Sequence, residues 1–418
     1  MNYVIIGNSA SGISAVESIR EIDKENKIIL ISDEPYLNYS RPLISYLLGK
    51  KITVDKINYR EENFYKENKV DLILNKKAIK LDVERKTVTL SDKQKIFFDK
   101  LLISTGGSPI IPEIKGLHSN GVFTFTKLSD EQKIESYIKK NKVKNAVVIG
   151  GGLIGLKATE ALIELKMKVT IIELANRILS STFDKKASDI IKNSLEKIGC
   201  KIITENTVIE IKEKSGRVTE IVLKDKTKIK TDMVILAIGV RPNIELVKNT
   251  PIKTNRGVIV DKFMQTNIKD IYSAGDCCEP TIAIWPVAVK QGKIAGYNMA
   301  GLKKEFGGAV AKNSVELCGI PTISVGETCP TGEGFEILEY NSEEKNIYKK
   351  IIIKNNRIVG FIFVGDIEKA GIYTNLIKDK IDITGFKQHL LKEDFGLINL
   401  PKEYRKHLVT GMGIEIWE

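Results

Sequence analysis

Cysteine is scarce and unpatterned in this chain of 418 residues, which contains five of them. None belongs to a C-x-x-C pair, and no spacing matches the cysteine sets that bind iron–sulfur clusters or zinc. Cys277 and Cys278 are adjacent. Adjacent cysteines form only strained disulfides, so two packed thiols are favoured over a redox pair. Unpaired thiols in a chain of this length fit a reducing compartment.

Long hydrophobic runs are also missing. No apolar stretch reaches the roughly 18 residues that a membrane-spanning helix needs. The first 30 residues lack the basic start and apolar core of a secretory signal, because Gly7 interrupts the apolar run. We therefore expect a cytoplasmic protein without a membrane segment, and the length allows two to four domains.

Positive charge is in excess, and it is unevenly distributed. The chain has 65 Lys and Arg against 53 Asp and Glu, a net charge of +12. Residues 306–418 hold 14 basic and 16 acidic residues, so the excess lies in residues 1–305. A basic body fits an anionic ligand or an acidic protein partner. There is no basic low-complexity tail and no nucleic-acid-binding motif, so we do not expect nucleic acid.

The chain opens with a predicted strand, Tyr3 to Ile6, a turn of small residues and a predicted helix, Ile13 to Ile22. This order is typical of the βαβ unit that binds a dinucleotide. Gly7 permits a tight turn, the small Ser9 lets the backbone approach a pyrophosphate, and Gly12 lets helix and strand pack closely. The turn residues that we expect to contact this dinucleotide are Gly7, Ser9, Ala10, Ser11 and Gly12.

The next predicted strand, residues 27–34, ends in Asp33 and Glu34. An acidic residue at this strand end binds ribose hydroxyls in dinucleotide-binding units. The helix N-terminus supplies free N–H groups and the positive end of a dipole to the phosphates.

Residues 146–173 repeat the same arrangement. The turn residues that we expect to contact a second dinucleotide are Gly150, Gly152, Leu153, Ile154 and Gly155, which contain an uninterrupted G-x-G-x-x-G. The following strand ends at Glu173, whose carboxylate favours NADH over NADPH because it repels a 2′-phosphate. Arg177 lies close behind and leaves NADPH open. One glycine fingerprint is weak, but two in full strand–turn–helix–strand context predict two bound dinucleotides.

With four further segments, the chain resembles the FAD-dependent pyridine nucleotide oxidoreductases with two dinucleotide-binding domains over essentially its whole length. Residues 101–116 resemble the crossover that leaves the FAD domain, and residues 236–243 resemble the return crossover from the NAD domain. Residues 271–279 resemble the second FAD signature, and residues 285–301 the helix whose start reaches the flavin ring. The resemblance implies FAD contacts at Arg41, Pro42, Thr105, Gly106, Gly275, Asp276, Trp285, Pro286, Val287 and Ala288, and an NAD contact at Gly239.

The stretch "PYLNYSRPLISYLLGK", residues 35–50, is similar to the branch of NADH:rubredoxin oxidoreductases and the flavin half of assimilatory nitrite reductase. Residues 363–377 and 393–401 also resemble flavoprotein subunits that link NAD(H) to ferredoxin-type proteins in anaerobes. The branch pattern next to FAD consists of Tyr39, Arg41, Pro42 and Ser45.

The redox thiols of related branches are missing. Disulfide reductases need C-x4-C after the first FAD helix, and the peroxidase, oxidase and coenzyme A-disulfide branch needs a cysteine near position 42. This chain has no cysteine before Cys200, and none of its three histidines lies in the His-Pro pattern of the glutathione reductase type. Electrons that leave the flavin must therefore pass to an external acceptor.

Lys157, on the first turn of the second helix, replaces a glutamate that many relatives carry two residues after the third glycine. In related oxygenase-coupled reductases that glutamate pairs with a lysine near the flavin, and Tyr46 stands at the lysine's position here. Lys157 is either a solvated helix residue or, as we predict, a catalytic cation near flavin N5 and the nicotinamide.

We predict an α/β fold with two Rossmann-like (βαβ) domains and a C-terminal α+β domain. The expected FAD domain comprises residues 1–112 and 236–305, with the NAD(H) domain, residues 113–235, inserted in it. Residues 306–418 are expected to start with short strands, end in helices, and form a homodimer interface or a partner-docking domain.

The predicted activity is hydride transfer from NADH C4 to flavin N5, followed by electron transfer to an iron–sulfur or rubredoxin-type carrier. An acidic ferredoxin or rubredoxin, or an iron–sulfur subunit, is the expected partner. The alternatives are a peroxide-forming NADH oxidase, a flavoprotein subunit of a larger redox complex, and a non-enzymatic NADH-sensing flavoprotein. No metal site is expected.

Overall fold

The computed structural model describes residues 1–401 of the chain. In these residues no helix combines the length and apolar character needed to cross a bilayer. Short 3-10 segments lie at Arg41–Leu43, Val54–Ile57, Glu245–Val247, Lys387–His389 and Leu397–Asn399. The α-helices are α1 (Ala10–Ile22), α2 (Ile44–Leu48), α3 (Phe64–Glu67), α4 (Leu128–Asn141), α5 (Leu153–Glu164), α6 (Lys185–Lys197), α7 (Trp285–Met299) and α8 (Ala370–Lys378).

Several runs of strands follow one another without an intervening α-helix. The strands are β1 (Asn2–Ile6), β2 (Lys27–Ile31), β3 (Val70–Ile73), β4 (Ala78–Asp82), β5 (Thr87–Leu90), β6 (Lys95–Phe97), β7 (Lys100–Ile103), β8 (Gly107–Pro109), β9 (Val122–Thr124), β10 (Asn145–Ile149), β11 (Lys168–Ile172), β12 (Lys201–Ile203), β13 (Val208–Lys214), β14 (Arg217–Leu223), β15 (Lys228–Lys230), β16 (Met233–Leu236), β17 (Val240–Pro242), β18 (Val258–Ile259), β19 (Ile271–Ser273), β20 (Cys278–Glu279), β21 (Lys312–Leu317), β22 (Ile320–Gly326), β23 (Phe335–Ser342), β24 (Ile347–Lys354) and β25 (Arg357–Val364). The longest of these runs are β3 to β9, β12 to β20 and β21 to β25.

The N-terminal strands form a parallel sheet of order β19-β7-β1-β2-β3. After a polar first residue, the three central strands β7, β1 and β2 are apolar to their ends, because both faces of the sheet are covered there. On one face Tyr3 and Ile5 pack with residues of α1 and α7, and on the other Val4 and Ile6 pack with residues of the antiparallel sheet β4-β5-β6. Alternate side chains of a single strand thus enter two separate cores.

The second parallel sheet repeats this design with the order β12-β11-β10-β16-β9. Val147 and Ile149 of β10 share a core with Val208 and Ile221 of the antiparallel sheet β13-β14-β15. The two sheets are linked by the two crossovers, which pair with each other as the antiparallel strands β8 and β17.

Residues from Lys312 form a five-stranded antiparallel sheet of order β21-β22-β25-β24-β23. Phe361 and Phe363 of β25 pack with Tyr373 of α8 and with Phe395. By contacts, the chain divides into two compact units, and the second unites Arg177–Lys197, which contains α6, with the described residues from Val310 onward.

The predicted fold class is confirmed, since two parallel βαβ sheets are followed by a sheet with a helix on it. Helix α1 begins at Ala10, three residues before the predicted start, because the small turn residues themselves form its first turn. The end of the predicted C-terminal domain, residues 402–418, lies outside the described residues.

Candidate functional site: two glycine cradles

The first cradle is the turn between β1 and α1, and two glycines hold it closed. Gly7 has a φ of +123°, and a Cβ there would lie 2.1 Å from the backbone oxygen of Ser104. A Cβ on Gly12 would lie 1.9 Å from the oxygen of Gly7. These close approaches are possible only for glycine, and they leave the N-terminus of α1 open to a phosphate. Ser9 is the N-cap of α1 and makes no side-chain capping bond.

The second cradle is the turn between β10 and α5, and its glycines make the contacts that correspond to those of Gly7 and Gly12. Gly150 has a φ of +110°, and its Cβ would lie 2.4 Å from the oxygen of Ala237. A Cβ on Gly155 would lie 2.0 Å from the oxygen of Gly150. Gly152 has no atom within 4 Å of its Cβ position, so the backbone there is open to a ligand. Leu153 and Ile154, also predicted to contact this ligand, form the first turn of α5.

Several predicted FAD contacts converge beside the first cradle. Gly275 has a φ of +82°, and a Cβ on it would lie 2.7 Å from the hydroxyl of Ser11 and 3.6 Å from the Cβ of Ala288. Burial raises the pKa of the Asp276 carboxyl, and the positive charge of Arg41 opposes that rise. The first glycine turn, the loop of Gly275 and Asp276, and the start of α7 therefore lie next to one another, as a single bound molecule requires.

Gln291 of α7 holds this junction together and was not singled out from the sequence. It is fully buried, and its Oε1 accepts the backbone N–H of Gly275 at 3.0 Å. The same oxygen lies 3.5 Å from Cys278 Sγ and 3.3 Å from the hydroxyl of Thr281. Its Nε2 donates to the carbonyl of Pro280. One side chain thus fixes both ends of the loop that contains Asp276.

The two acidic residues after β2 have different surroundings. Glu34 is buried, and its carboxylate accepts bonds from Arg41 at 2.6 Å and from the Tyr39 hydroxyl at 2.8 Å. Burial raises the pKa of Tyr39, so its hydroxyl stays a donor. Asp33 is exposed and pairs with Lys127 at 3.0 Å, just before α4.

A polar cluster of Asn8, Asn38 and Tyr65 lies next to the first glycine turn. The sequence did not predict it, because asparagine and tyrosine carry no sequence signature here. Tyr65 donates to Asn8 Oδ1 at 2.7 Å and accepts from the Asn38 side chain at 2.8 Å. Burial raises the pKa of Tyr65. Asn8 belongs to the turn between β1 and α1, so the cluster holds that turn in place.

Glu173 lies against the second glycine turn. Its two carboxylate oxygens accept the backbone N–H groups of Gly151 at 2.5 Å and Ala175 at 2.7 Å. The guanidinium of Arg177 donates to two backbone carbonyls, those of Phe183 at 3.1 Å and Ser180 at 3.2 Å.

Lys157 lies one turn into α5 and is four-fifths buried. Its ammonium pairs with Glu160 at 2.5 Å and lies 4.7 Å from the centroid of the Tyr46 ring. Lys51, which follows α2, pairs with Glu164 at 3.0 Å, and this bond raises the pKa of Lys51. Two lysine–glutamate pairs therefore border the contact between α2 and α5.

The remaining predicted residues lie at the crossovers and at the start of α7. Thr105 donates to the carbonyl of Asn243 at 2.7 Å, which ties the two crossovers together. Gly106 and Gly239 have positive φ values and no atom within 3.5 Å of their Cβ positions. Trp285 packs edge-on against Tyr59 at 5.0 Å. Pro286, Val287 and Ala288 complete the first turn of α7, and Pro42 lies in the 3-10 turn before α2.

The adjacent cysteines are free and buried. Cys277 lies 3.4 Å from the carbonyl of Ile103, and burial raises the pKa of Cys278 well above its ordinary value. A thiol in this state is a poor nucleophile.

These residues fit two dinucleotides. Each cradle has a pair of glycines whose missing Cβ atoms allow the close backbone turn, and Gly152 is open on its outer side. Ser45 of α2, which the branch pattern in the sequence predicts to lie next to FAD, is buried, and its hydroxyl has no hydrogen-bond partner among the described residues. A buried hydroxyl without a partner is typical of a site that a ligand completes.

Comparison with known proteins agrees with this geometry. Nitrite reductase [NAD(P)H] of Bacillus subtilis is 34% identical over 387 residues, which are 91% of this chain and 48% of that protein. NADH-dependent phenylglyoxylate dehydrogenase subunit epsilon of Aromatoleum evansii is 29% identical over 400 residues, 93% of this chain and 94% of that one. The crystal structure of NADH:rubredoxin oxidoreductase from Clostridium acetobutylicum superposes with a TM-score of 0.77 at 28% identity and covers 92% of this chain and 97% of that one.

This chain spans about half the length of the Bacillus subtilis relative. Residues 313–381 match the rubredoxin NAD+ reductase C-terminal domain, and residues 1–292 match the pyridine nucleotide-disulphide oxidoreductase family. The resemblance seen in the sequence is confirmed. Because the second match covers well over half of the chain, this protein belongs to the pyridine nucleotide-disulphide oxidoreductase family, flavoproteins that use FAD and NAD(P)H.

Proposed function

We propose that this protein transfers electrons between NAD(H) and an external iron–sulfur or rubredoxin-type carrier protein through FAD, without a redox-active cysteine. The observation that carries the proposal is the pair of glycine cradles in a chain with no cysteine before Cys200. The bound cofactors supply hydride transfer between nicotinamide C4 and flavin N5. The protein's part is to hold, orient and electrostatically tune them.

FAD is assigned to the first cradle. The turn residues Gly7 to Gly12 and the N-terminus of α1 would hold the pyrophosphate, and Asp33 and Glu34 would bind the ribose. Arg41, Pro42, Thr105, Gly106, the Gly275–Asp276 loop and the first turn of α7 would surround the rest of the molecule. The FAD domain then comprises residues 1–112 and 236–305.

NAD(H) is assigned to the second cradle, in a domain of residues 113–235. Gly150 to Gly155 would hold its pyrophosphate, Glu173 its adenosine ribose, and Gly239 would line the approach to the flavin. NADH is favoured because Glu173 repels a 2′-phosphate, and because Arg177 already donates to two backbone carbonyls.

Lys157 is assigned as the catalytic cation. Its ammonium is held between Glu160 and the Tyr46 ring, so its position is fixed rather than solvated. With FAD bound beside it, this fixed cation would stabilise negative charge on the flavin ring.

The partner is proposed to be an acidic electron carrier. Residues 1–305 carry the whole excess of positive charge, which would steer such a protein to the flavin side. Residues 306–418 are proposed as a docking or homodimer domain.

The test is an anaerobic acceptor screen on protein reconstituted with FAD. We expect one FAD per chain, no stoichiometric iron or zinc, rapid flavin reduction by NADH, and faster reoxidation by ferredoxin or rubredoxin than by oxygen. Stoichiometric peroxide from oxygen at a rate matching the best carrier would make the protein an oxidase instead. Slow flavin reduction with no turnover on any acceptor would indicate an NADH sensor.

A subunit role is the second candidate. One relative that this chain matches over nearly its whole length is described as subunit epsilon of a dehydrogenase. Affinity purification from the native organism would separate the two, since a subunit co-purifies with iron–sulfur chains in fixed ratio and a stand-alone enzyme does not.

A further inference from the structure

A cleft of about 540 Å³ lies outside the two cradles, between α4, β9, the hairpin β13–β14 and the loop after β2. Its lining residues include the aromatic Tyr36, Phe123 and Tyr137 and the exposed cations Lys133, Lys140 and Arg217. None of these residues is used by the proposed electron transfer.

The charge of this cleft is uncompensated. Its lining contains three cations and no carboxylate. In the described part of the chain, neither Lys133, Lys140 nor Arg217 forms an ion pair with an Asp or Glu side chain. By contrast, Lys139, the neighbour of Lys140 on α4, pairs with Glu135 at 3.0 Å. Three unpaired cations around one concavity produce a local positive potential that attracts an anion.

Arg217 is presented by a fixed backbone. The hairpin turn has φ values of +53° at Ser215 and +76° at Gly216, as a two-residue type I′ turn requires. The backbone of Asn120, another lining residue, forms two hydrogen bonds with the tip of the hairpin. Its N–H donates to the carbonyl of Gly216 at 2.9 Å, and its carbonyl accepts the N–H of Val218 at 3.1 Å.

The aromatic wall is also held in place. The rings of Phe123 and Tyr137 meet edge-to-face at 5.2 Å, and the Tyr137 hydroxyl donates toward backbone carbonyls of Asn120 and Asp232. Tyr36 is tethered to α4 by a bond of 2.6 Å from its hydroxyl to Gln132. Rigid rings next to cations fit a ligand that is both flat and anionic.

We propose that this cleft binds a nucleoside diphosphate or a molecule containing one. Its volume lies in the range of roughly 300–1,000 Å³ that is typical of small-molecule sites. The cations would bind the diphosphate, the rings would contact the base, and the amides and hydroxyls of the wall would bind the sugar. The proposal does not depend on the electron acceptor.

The test counts bound ADP by equilibrium dialysis on the FAD-loaded protein. The parent is expected to bind one more equivalent of ADP per chain than the double variant Lys140→Ala/Arg217→Ala. Lys144→Ala, an exposed lysine just beyond α4 that does not line the cleft, should match the parent. Arg217→Ala alone should raise the Kd of this equivalent by about tenfold, since a charge-assisted contact to phosphate is lost.

In the same samples, thermal unfolding checks the fold, and the rate of flavin reduction by NADH checks the second cradle. The double variant should retain the parent's values in both. Equal ADP stoichiometry and affinity in the parent and the double variant would overturn the proposal. So would binding of an acidic polyglutamate peptide that ADP does not displace, because the surface would then be a protein-docking site.

Discussion

The ammonium of Lys157 and the aromatic ring of Tyr46 face each other across the contact of α5 with α2, 4.7 Å from nitrogen to ring centroid. In the oxygenase-coupled reductases that the sequence resembles, a glutamate and a lysine are expected at the positions of Lys157 and Tyr46. Glu160, at 2.5 Å from Lys157, supplies the anion on the same helix.

We expect Lys157→Ala to slow flavin reduction by NADH more than it weakens NADH binding, and to lower the flavin midpoint potential. A charge at ~4 Å with an effective dielectric near 20 contributes about 4 kcal/mol at most, and solvent reduces this. A tenfold change in rate needs only about 1.4 kcal/mol. Anaerobic stopped-flow and redox titration measure both effects.

Lys157→Glu should be worse than alanine, since it places a second carboxylate beside Glu160 with no lysine at position 46. Lys51→Ala is the matched control, because Lys51 pairs with Glu164 on the same helix. Parent rates and potentials in both Lys157 variants would assign this lysine to the structure of the helix contact alone.

Glu173→Ala should relax discrimination against NADPH. The variant lacks the carboxylate that would accept a charge-assisted hydrogen bond from the ribose of NADH, worth about 1.5–3 kcal/mol. The KM for NADH should therefore rise at least about tenfold. Arg177→Ala should leave the NADPH rate unchanged, because its guanidinium donates to the backbone carbonyls of Ser180 and Phe183. A parent protein that prefers NADPH would contradict this assignment.

Gln291→Leu should release FAD without abolishing the fold. It leaves the buried N–H of Gly275 without its acceptor, which costs about 1–3 kcal/mol. The Kd for FAD should therefore rise by roughly tenfold or more. Thr281→Val removes one of the contacts to Gln291 and should have a smaller effect. Equal FAD affinity in the parent and Gln291→Leu would show that the loop is held by other contacts.

Cys277→Ser and Cys278→Ala should keep most NADH-to-dye activity, as should substitution of all five cysteines. Burial raises the pKa of Cys278, so its reactive thiolate is scarce near neutral pH. The assay is dye reduction corrected for FAD content, since a packing defect at these buried positions lowers stability. A large loss of rate per bound FAD from Cys277→Ser alone would reveal chemistry at this pair.

Gly12→Ala and Gly155→Ala should have different outcomes from the same steric clash. The added Cβ atoms would lie 1.9 Å from the oxygen of Gly7 and 2.0 Å from the oxygen of Gly150. The first variant should purify with little FAD, and the second should remain yellow but resist reduction by NADH. Gly371→Ala, in α8 with no atom within 4 Å of its Cβ position, serves as control. Equal loss of FAD in both cradle variants would indicate general misfolding.

The sequence predicted the cradles because glycine spacing, apolar strands and strand-end acids are local features. It also predicted the crossovers, which pair as β8 and β17. It could not predict Gln291 or the cluster of Asn8, Asn38 and Tyr65, because their partners are distant in the chain and follow from tertiary packing. The two carboxylates after β2 look equivalent in sequence, and only the structure distinguishes buried Glu34 from exposed Asp33.

Helix α6 bears on any attempt to study the C-terminal domain by removing it. Asp184, just before α6, accepts bonds from the buried Tyr348 at 2.7 Å and from Lys350 at 2.9 Å, and Lys186 pairs with Glu339. A chain cut before Val310 loses all three of these partners, although Asp184 and Lys186 lie in the segment that sequence order assigns to NAD(H) binding. If such a truncated chain were inactive, the cause would be the unpaired carboxylate of Asp184 and the destabilised helix α6. Substitutions at exposed positions of β23, such as Ile337 and Tyr340, probe docking without that damage.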